Sequence, residues 1–164
     1  MKNKRAILTV LIVLFNIGID QLSKCIVRYS ISDNETIPIL KGAIVFIKAE
    51  NIGAALGIGA GLPSMLKIFY LQLLPIFILL FLFRMIVTDK ELPRLIIIGV
   101  AIAIGGAFGN ILDRILYGSV TDFIQLHFGT YTSGIFNIAD ISVVIGLVLV
   151  IIDLSLNFKK KTAL

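Results

Sequence analysis

Water-soluble proteins need charge on their surface, and this chain has little. Asp, Glu, Lys and Arg make up 15% of its 164 residues, against about 25% in soluble domains. So few charges cannot cover a soluble globule. The apolar share is 58%, or about 64% once glycine is counted and tyrosine is not, which also excludes a disordered chain. Cysteine and histidine occur once each, as Cys25 and His127. A single cysteine forms no internal disulfide, and the two residues cannot make a zinc or iron cluster, so no metal or other cofactor is expected. The net charge of +5 sits at the ends of apolar runs and forms no stripe interleaved with aromatics, so nucleic acid is not an expected partner.

What the chain has instead is four apolar runs, at about 6–27, 66–87, 95–116 and 137–158, each near the roughly 20 residues that cross a bilayer as a helix. The first has a basic start like that of a secretory signal. Asp20, Gln21 and Lys24 then follow in place of a small-residue cleavage site, so the segment is expected to be retained. Lys24 is also unlike the small residue that precedes a lipidated cysteine, and Cys25 reads as a small helix-facing filler. Lys67 and Arg84 flank the second run and Pro75 is expected to kink it. The third run opens after Pro93 and the fourth ends in Lys159, Lys160 and Lys161. The fold class expected is an all-α integral membrane protein, a single membrane-embedded domain over 1–164, with four transmembrane helices.

Nine of the fifteen basic residues fall in short segments on one side: Lys2, Lys4, Arg5, Arg84, Lys90, Arg94 and the three terminal lysines. That bias places both termini in the cytoplasm. Segments 28–65 and 117–136 are then extracytoplasmic. Glu35–Leu40 and Ala43–Lys48, around Lys41-Gly42, are rich in β-branched residues and predict a short hairpin. Its open edge needs cover, and Val120–Phe128 is the nearest partner, giving a small extracytoplasmic β platform.

The polar residues at that end each admit two readings. Asp20 and Lys24, four apart on one helical face, make either an interfacial ion pair or a pair that shapes a polar site. Around Gly53, Ala49–Gly57 is either a connecting turn or a loop that lets backbone approach a ligand, with Asn51 bonding neighbouring backbone. Gly105 and Gly109 form a small-residue stripe for close helix packing. Asn110 and Arg114 lie on the Gly106 stripe with Asp113 beside it, as interfacial caps or as groups that hold carboxylates and peptides. Asn137 and Asp140 suit a helix N-terminus. Asp122 and Asp140 nevertheless lie on the same side at similar depth, and two acids sharing a desolvated site also share a proton, supplying base and acid together. His127 reads as structural.

Taken in order, Asp20-Gln-Leu-Ser-Lys24, Asn51-Ile-Gly-Ala-Ala55, Gly105–Arg114, Val120-Thr-Asp-Phe-Ile124 and Phe136-Asn-Ile-Ala-Asp140 closely resemble the lipoprotein signal peptidases, the type II signal peptidases of bacteria. The resemblance covers nearly the whole chain. It implies an aspartic membrane endopeptidase of the bacterial cell membrane that removes signal peptides from diacylglyceryl-modified prolipoproteins just before the lipidated Cys. Its partners would be that substrate and membrane lipid, with the enzyme acting as a monomer and its site on the extracytoplasmic side. Asp122 and Asp140 match the catalytic pair. Asp20, Lys24, Asn51, Gly53, Gly106, Asn110, Arg114, Asn137 and Ala139 match positions that line or support the site. Leu56, where the family often has Phe, and Gly134, where it often has Pro, depart from the pattern. A small proton-coupled carrier is the alternative, since membrane carboxylates also mark ion paths.

Overall fold

Inside lipid a backbone N–H finds no water, so a spanning segment must satisfy its own hydrogen bonds as a helix. The computed structural model describes residues 2–33 and 35–162, without side chains at 2, 3 and 158–162. The side chains of Lys2 and Lys159 to Lys161, on which the expected orientation partly rests, lie outside the described set. Among the described residues, four helical stretches are long and apolar enough to cross a membrane. The first is α1, Lys2–Ser30. The second joins α2, Ser64–Ile68, through a π-helical turn, Phe69–Leu73, to α3, Leu74–Thr88. The others are α4, Arg94–Tyr117, and α5, Ile138–Thr162.

Pro75 explains the π turn. Its ring cannot sit against a regular preceding turn and it offers no N–H, and the wider turn just before it absorbs that mismatch. Two further helix ends are set by sequence. Pro93 precedes the first turn of α4, and Gly118, at φ +77°, ends it in the left-handed conformation that glycine adopts without strain.

α4 is the central helix, packed on α1, α3 and α5. Glycines set how closely. A Cβ on Gly105 would stand 2.7 Å from Asn16 Cβ of α1, and one on Gly99 would stand 2.7 Å from the Gly146 carbonyl of α5. The Gly105 stripe therefore receives α1, as expected. Gly106 faces the other way, against Ala139 and Ser142 of α5. Leu79, Ile86, Ile97, Ala101 and Ile104 fill the α3–α4 contact. The outward faces carry exposed Leu11, Phe15, Phe77, Phe81 and Leu154, as lipid contact requires.

At one end of the bundle lies a four-stranded antiparallel sheet in the order β1 (Thr36–Ile39), β2 (Ile44–Asn51), β3 (Val120–Phe128), β4 (Tyr131–Thr132). The expected hairpin is present, and β3 covers its edge. β2 runs further than the sequence suggested, to Asn51, and β4 was not foreseen. Between Phe46 and Ala49, β2 advances three residues while β3 advances two, from Ile124 to Asp122, so one residue of β2 bulges out. Val27 of α1 and Ile31, just past its end, pack beneath the sheet with Phe123 and Ile124, and Phe46 meets Phe123 edge-on. Cys25 corrects the sequence reading. It is exposed, because Lys24 and Arg28 occupy the inward face of α1.

A bulkier residue at the α4–α5 contact must push the helices apart, at about 1–3 kcal/mol. Gly99→Val should lower Tm in detergent by several degrees. Gly18→Ala, where nothing lies within 4 Å of the added methyl, should leave it unchanged or raise it slightly.

Candidate active site

Three pieces of backbone converge at the sheet end of α4. The residues between β4 and α5 fold back on β3, where Phe136 N donates to Ile124 O at 2.9 Å and Phe136 O accepts from Phe123 N and Ile124 N. This clasp puts Asn137, the residue before α5, beside Asp122 on β3. The same strand pairing sets Ala49 of β2 opposite Asp122 and brings Asn51 into reach.

Asn137 joins the two acids. Its side-chain Nδ2 donates to Asp122 Oδ1 at 2.6 Å, its backbone N–H donates to Asp140 Oδ2 at 3.1 Å, and its Oδ1 accepts from Asp140 N at 3.1 Å. The last two bonds are a reciprocal cap on α5, so the helix-capping reading of Asn137 and Asp140 holds along with their place in the site. The second oxygen of each carboxylate also has a donor. Asn51 Nδ2 reaches Asp122 Oδ2 at 3.1 Å and Asn110 Nδ2 reaches Asp140 Oδ1 at 2.9 Å. Asp122 and Asp140 therefore stand one side chain apart, and both line a cleft of about 380 Å³ with Asn51, Leu56, Arg114 and Phe136.

Burial pushes the Asp122 carboxyl up to about 6, and the neighbouring Asp140 charge pushes the same way. Hydrogen bonds from Asn51 and Asn137 and the charge of Lys24 oppose them. Carboxylates paired in a partly dry site are disposed to hold one proton between them.

The loop after β2 is tied into this site. Gly53 N donates to Asn51 Oδ1 at 2.9 Å, Asn51 Nδ2 donates to Ala54 O at 3.0 Å, and Arg114 Nη2 donates to Gly53 O at 2.7 Å. A Cβ on Gly53 would lie 2.7 Å from the backbone of Gly57 and Ile58, so only glycine lets the loop close on itself. The loop turns through Leu56 at φ +57° and Gly57 at φ +75°. The two departures from the family pattern meet here, since a Cβ on Gly134 would run into Leu56 Cδ2 at 2.6 Å.

Behind the cleft lies a fully buried ionic cluster. Lys24 Nζ contacts Asp20 Oδ2 at 2.8 Å, Asp113 Oδ2 at 3.1 Å and Asn110 Oδ1 at 2.8 Å, and none of Asp20, Lys24 and Asp113 is exposed. Asp20 Oδ1 accepts the Ala139 N–H of α5 at 2.9 Å, and its Oδ2 meets Gly109, where no side chain fits. Gly106 and Ala139 touch, so small residues let α4 and α5 close behind the acids. Every residue that the resemblance matched to the site lies in or against this one assembly. Three partners escaped the sequence reading. Gln21 donates to Asp20, Asp113 and Gly109 O, Arg28 pairs with Asp113 at 3.0 Å, and Thr121 accepts from Arg28 Nε. Arg28 was detectable, since Asp20, Lys24 and Arg28 fall on one helical face at steps of four. His127, bonded to Gln125 at 3.1 Å on β3, stands apart from the acids.

A bundle of membrane-length helices, with two acids joined through Asn137 in a cleft at one end, defines a polytopic membrane protein with a carboxylate site. A family model described as signal peptidase (SPase) II matches residues 12–156. Two solved structures are similar over nearly the whole length. A bacterial membrane enzyme determined in meso at 2.3 Å is 31% identical, with a TM-score of 0.82, 93% of this chain and 90% of that one covered. Another bacterial membrane enzyme, determined in meso at 1.9 Å, is 32% identical, with a TM-score of 0.76 and 89% and 91% covered. The chain belongs to the signal peptidase II family. It is an aspartic-type membrane endopeptidase that processes lipoprotein precursors. Nothing favours the carrier, and the acids collect at the sheet end rather than midway along the helices.

Arg114 holds the cleft loop through one charged hydrogen bond. Arg114→Lys, which cannot keep the same fork of donors, should weaken that tie by about 1.5 kcal/mol. Limited proteolysis within residues 52–62 should then run roughly ten-fold faster.

Proposed function

We propose that Asp122 and Asp140 are the catalytic pair of this peptidase. The observation that supports this is that one residue, Asn137, bonds both carboxylates in one cleft, Asp122 through its side-chain amide and Asp140 through its backbone N–H, each acid having a second donor besides. A water between the carboxylates loses its proton to one of them and attacks the carbonyl before the cysteine. The protonated partner donates to the developing oxyanion. Asp140 suits the role of base, because the first turn of α5 and two N–H donors face its negative charge. Asp122, raised to about 6, suits the role of acid.

The substrate in this reading is a prolipoprotein carrying diacylglycerol on the cysteine that becomes residue one. It is anchored by its apolar signal helix and two acyl chains, so it diffuses to the enzyme within the bilayer. A cleft at the ends of the spans lies at the depth of such a scissile bond. The basic residues at the opposite end of the bundle support a reading with both termini in the cytoplasm and the cleft on the extracytoplasmic side. Asp20, Lys24, Gly53, Gly106 and Ala139 shape the site, Asn51, Asn110 and Asn137 orient the acids, and Arg114 with the loop over the cleft grips the peptide. One chain supplies the whole set, so the monomer is the working unit.

Asp122→Asn and Asp140→Asn should each abolish release of the signal peptide from a diacylated prolipoprotein in detergent, with Tm little changed. Retained turnover in both variants would remove the proposal. In the free enzyme, protonated Asp122 is lost as pH rises through about 6, so kcat/KM should fall on an alkaline limb near that value. Asn51→Ala deletes a bond that favours the charged form, raises the Asp122 value and should move this limb to higher pH.

A further inference from the structure

The side-chain amide of asparagine has an oxygen on one side and NH2 on the other, and turning it over exchanges them with almost no change of shape. Three such amides, of Asn51, Asn110 and Asn137, feed the acids here. Were Asn110 turned over, its oxygen would face the Asp140 carboxylate, and the acid would lose a donor and gain a repulsion. Something must hold each amide the right way round.

On the dyad reading above, we infer that Lys24 is a positioning residue of the reaction: its ammonium, at 2.8 Å, admits only the oxygen of Asn110 on its side and so aims the NH2 at Asp140. An ammonium has three donors and no acceptor. All three are engaged, by Asp20, Asp113 and Asn110, and none is free to turn to another partner. Asn110 Oδ1 also receives Asn137 Nδ2 at 3.0 Å, and the same NH2 group reaches Asp122. The direction set at Lys24 thus passes through Asn110 to Asp140, and through Asn137 to Asp122. A neutral glutamine at position 24 would accept either face of Asn110. Joining α1 to α4 does not need this lysine alone, because Arg28 pairs with Asp113 and Gln21 bridges Asp20 and Asp113. Lys24 also acts on Asp122 by charge, favouring its ionised form. Asp140 on α5 opposes that effect, while Arg114 on α4 also faces both acids.

The test uses the full-length protein in detergent with a synthetic diacylated prolipopeptide, reading Tm, kcat, KM and the pH profile. Lys24→Met removes the donor, and pairing it with Asp113→Asn keeps the buried charges balanced. A folded double variant should lose about ten- to a hundred-fold in kcat, as outer partners of reacting groups do, with KM within about three-fold. Its alkaline limb should move to higher pH, because Asp122 has lost a nearby cation. Lys24→Gln, of similar length, should behave likewise. Wild-type kcat and an unmoved limb in a folded variant overturn the assignment, and with Asp122→Asn inactive in the same assay they leave the dyad reading standing. An active Asp122→Asn overturns the dyad reading itself. Failure of both Lys24 variants to fold makes the lysine structural and overturns the assignment as well.

Discussion

A lysine ammonium cannot stay charged in the dry interior of a membrane protein unless other charges and acceptors surround it. Lys24 has no solvent exposure, and everything near the cleft is arranged around that fact. Asp20 comes from one turn earlier on the same helix and Asp113 from α4, so the requirement for partners fixes α1 against α4 at one depth and rotation. Asp20 then spends its other oxygen on the first turn of α5. One buried charge thereby registers three helices. The glycines at 106 and 109 are the steric counterpart, since a side chain at either would keep the carboxylate or α5 from closing in.

The sheet does for the loops what the ionic cluster does for the helices. Asp122 is on a strand, which holds it more firmly than a free loop would. It is pinned from one side by β2 and from the other by the clasp at Phe136. The bulge in β2 shifts the pairing by one residue just before Asp122, which brings Asn51 and the Gly53 loop over the cleft. Thr121, next to Asp122, connects the strand to the cluster: its N–H donates to Asp113 Oδ2 at 3.2 Å and its hydroxyl accepts from Arg28. Helix register and strand position are therefore set by shared residues, and the distance between the two acids follows from both.

Such an arrangement suits chemistry on a substrate that never leaves the bilayer. The spans expose apolar side chains outward, while the polar groups are gathered inward and at the sheet end. Asn110, Asn137 and Asn51 give the acids neutral donors, which orient them without adding charge. The raised Asp122 value follows from that choice. With burial opposed mainly by amides, and only more remotely by Lys24, a proton is retained nearer to neutral pH than an exposed aspartate would allow.

Periodicity and composition determined the four spans, the hairpin and its partner strand, because each depends on local apolar pattern and on the length a bilayer demands. The motifs Asp20-Gln-Leu-Ser-Lys24, Gly105–Arg114 and Phe136-Asn-Ile-Ala-Asp140 marked the residues found round the cleft only through the resemblance they carry together, since each polar group read alone also suited an ion pair or a helix cap. Other features were illegible. The capping of α5 by Asp20, the bridge of Asn137 between two acids, the threefold contact of Lys24 and the outward turn of Cys25 join or separate residues far apart in the chain, or depend on which face of a helix is taken. Spacing along the chain cannot state these, because a hydrogen bond is set by direction and distance in space, and only the packed helices and the paired strands supply both.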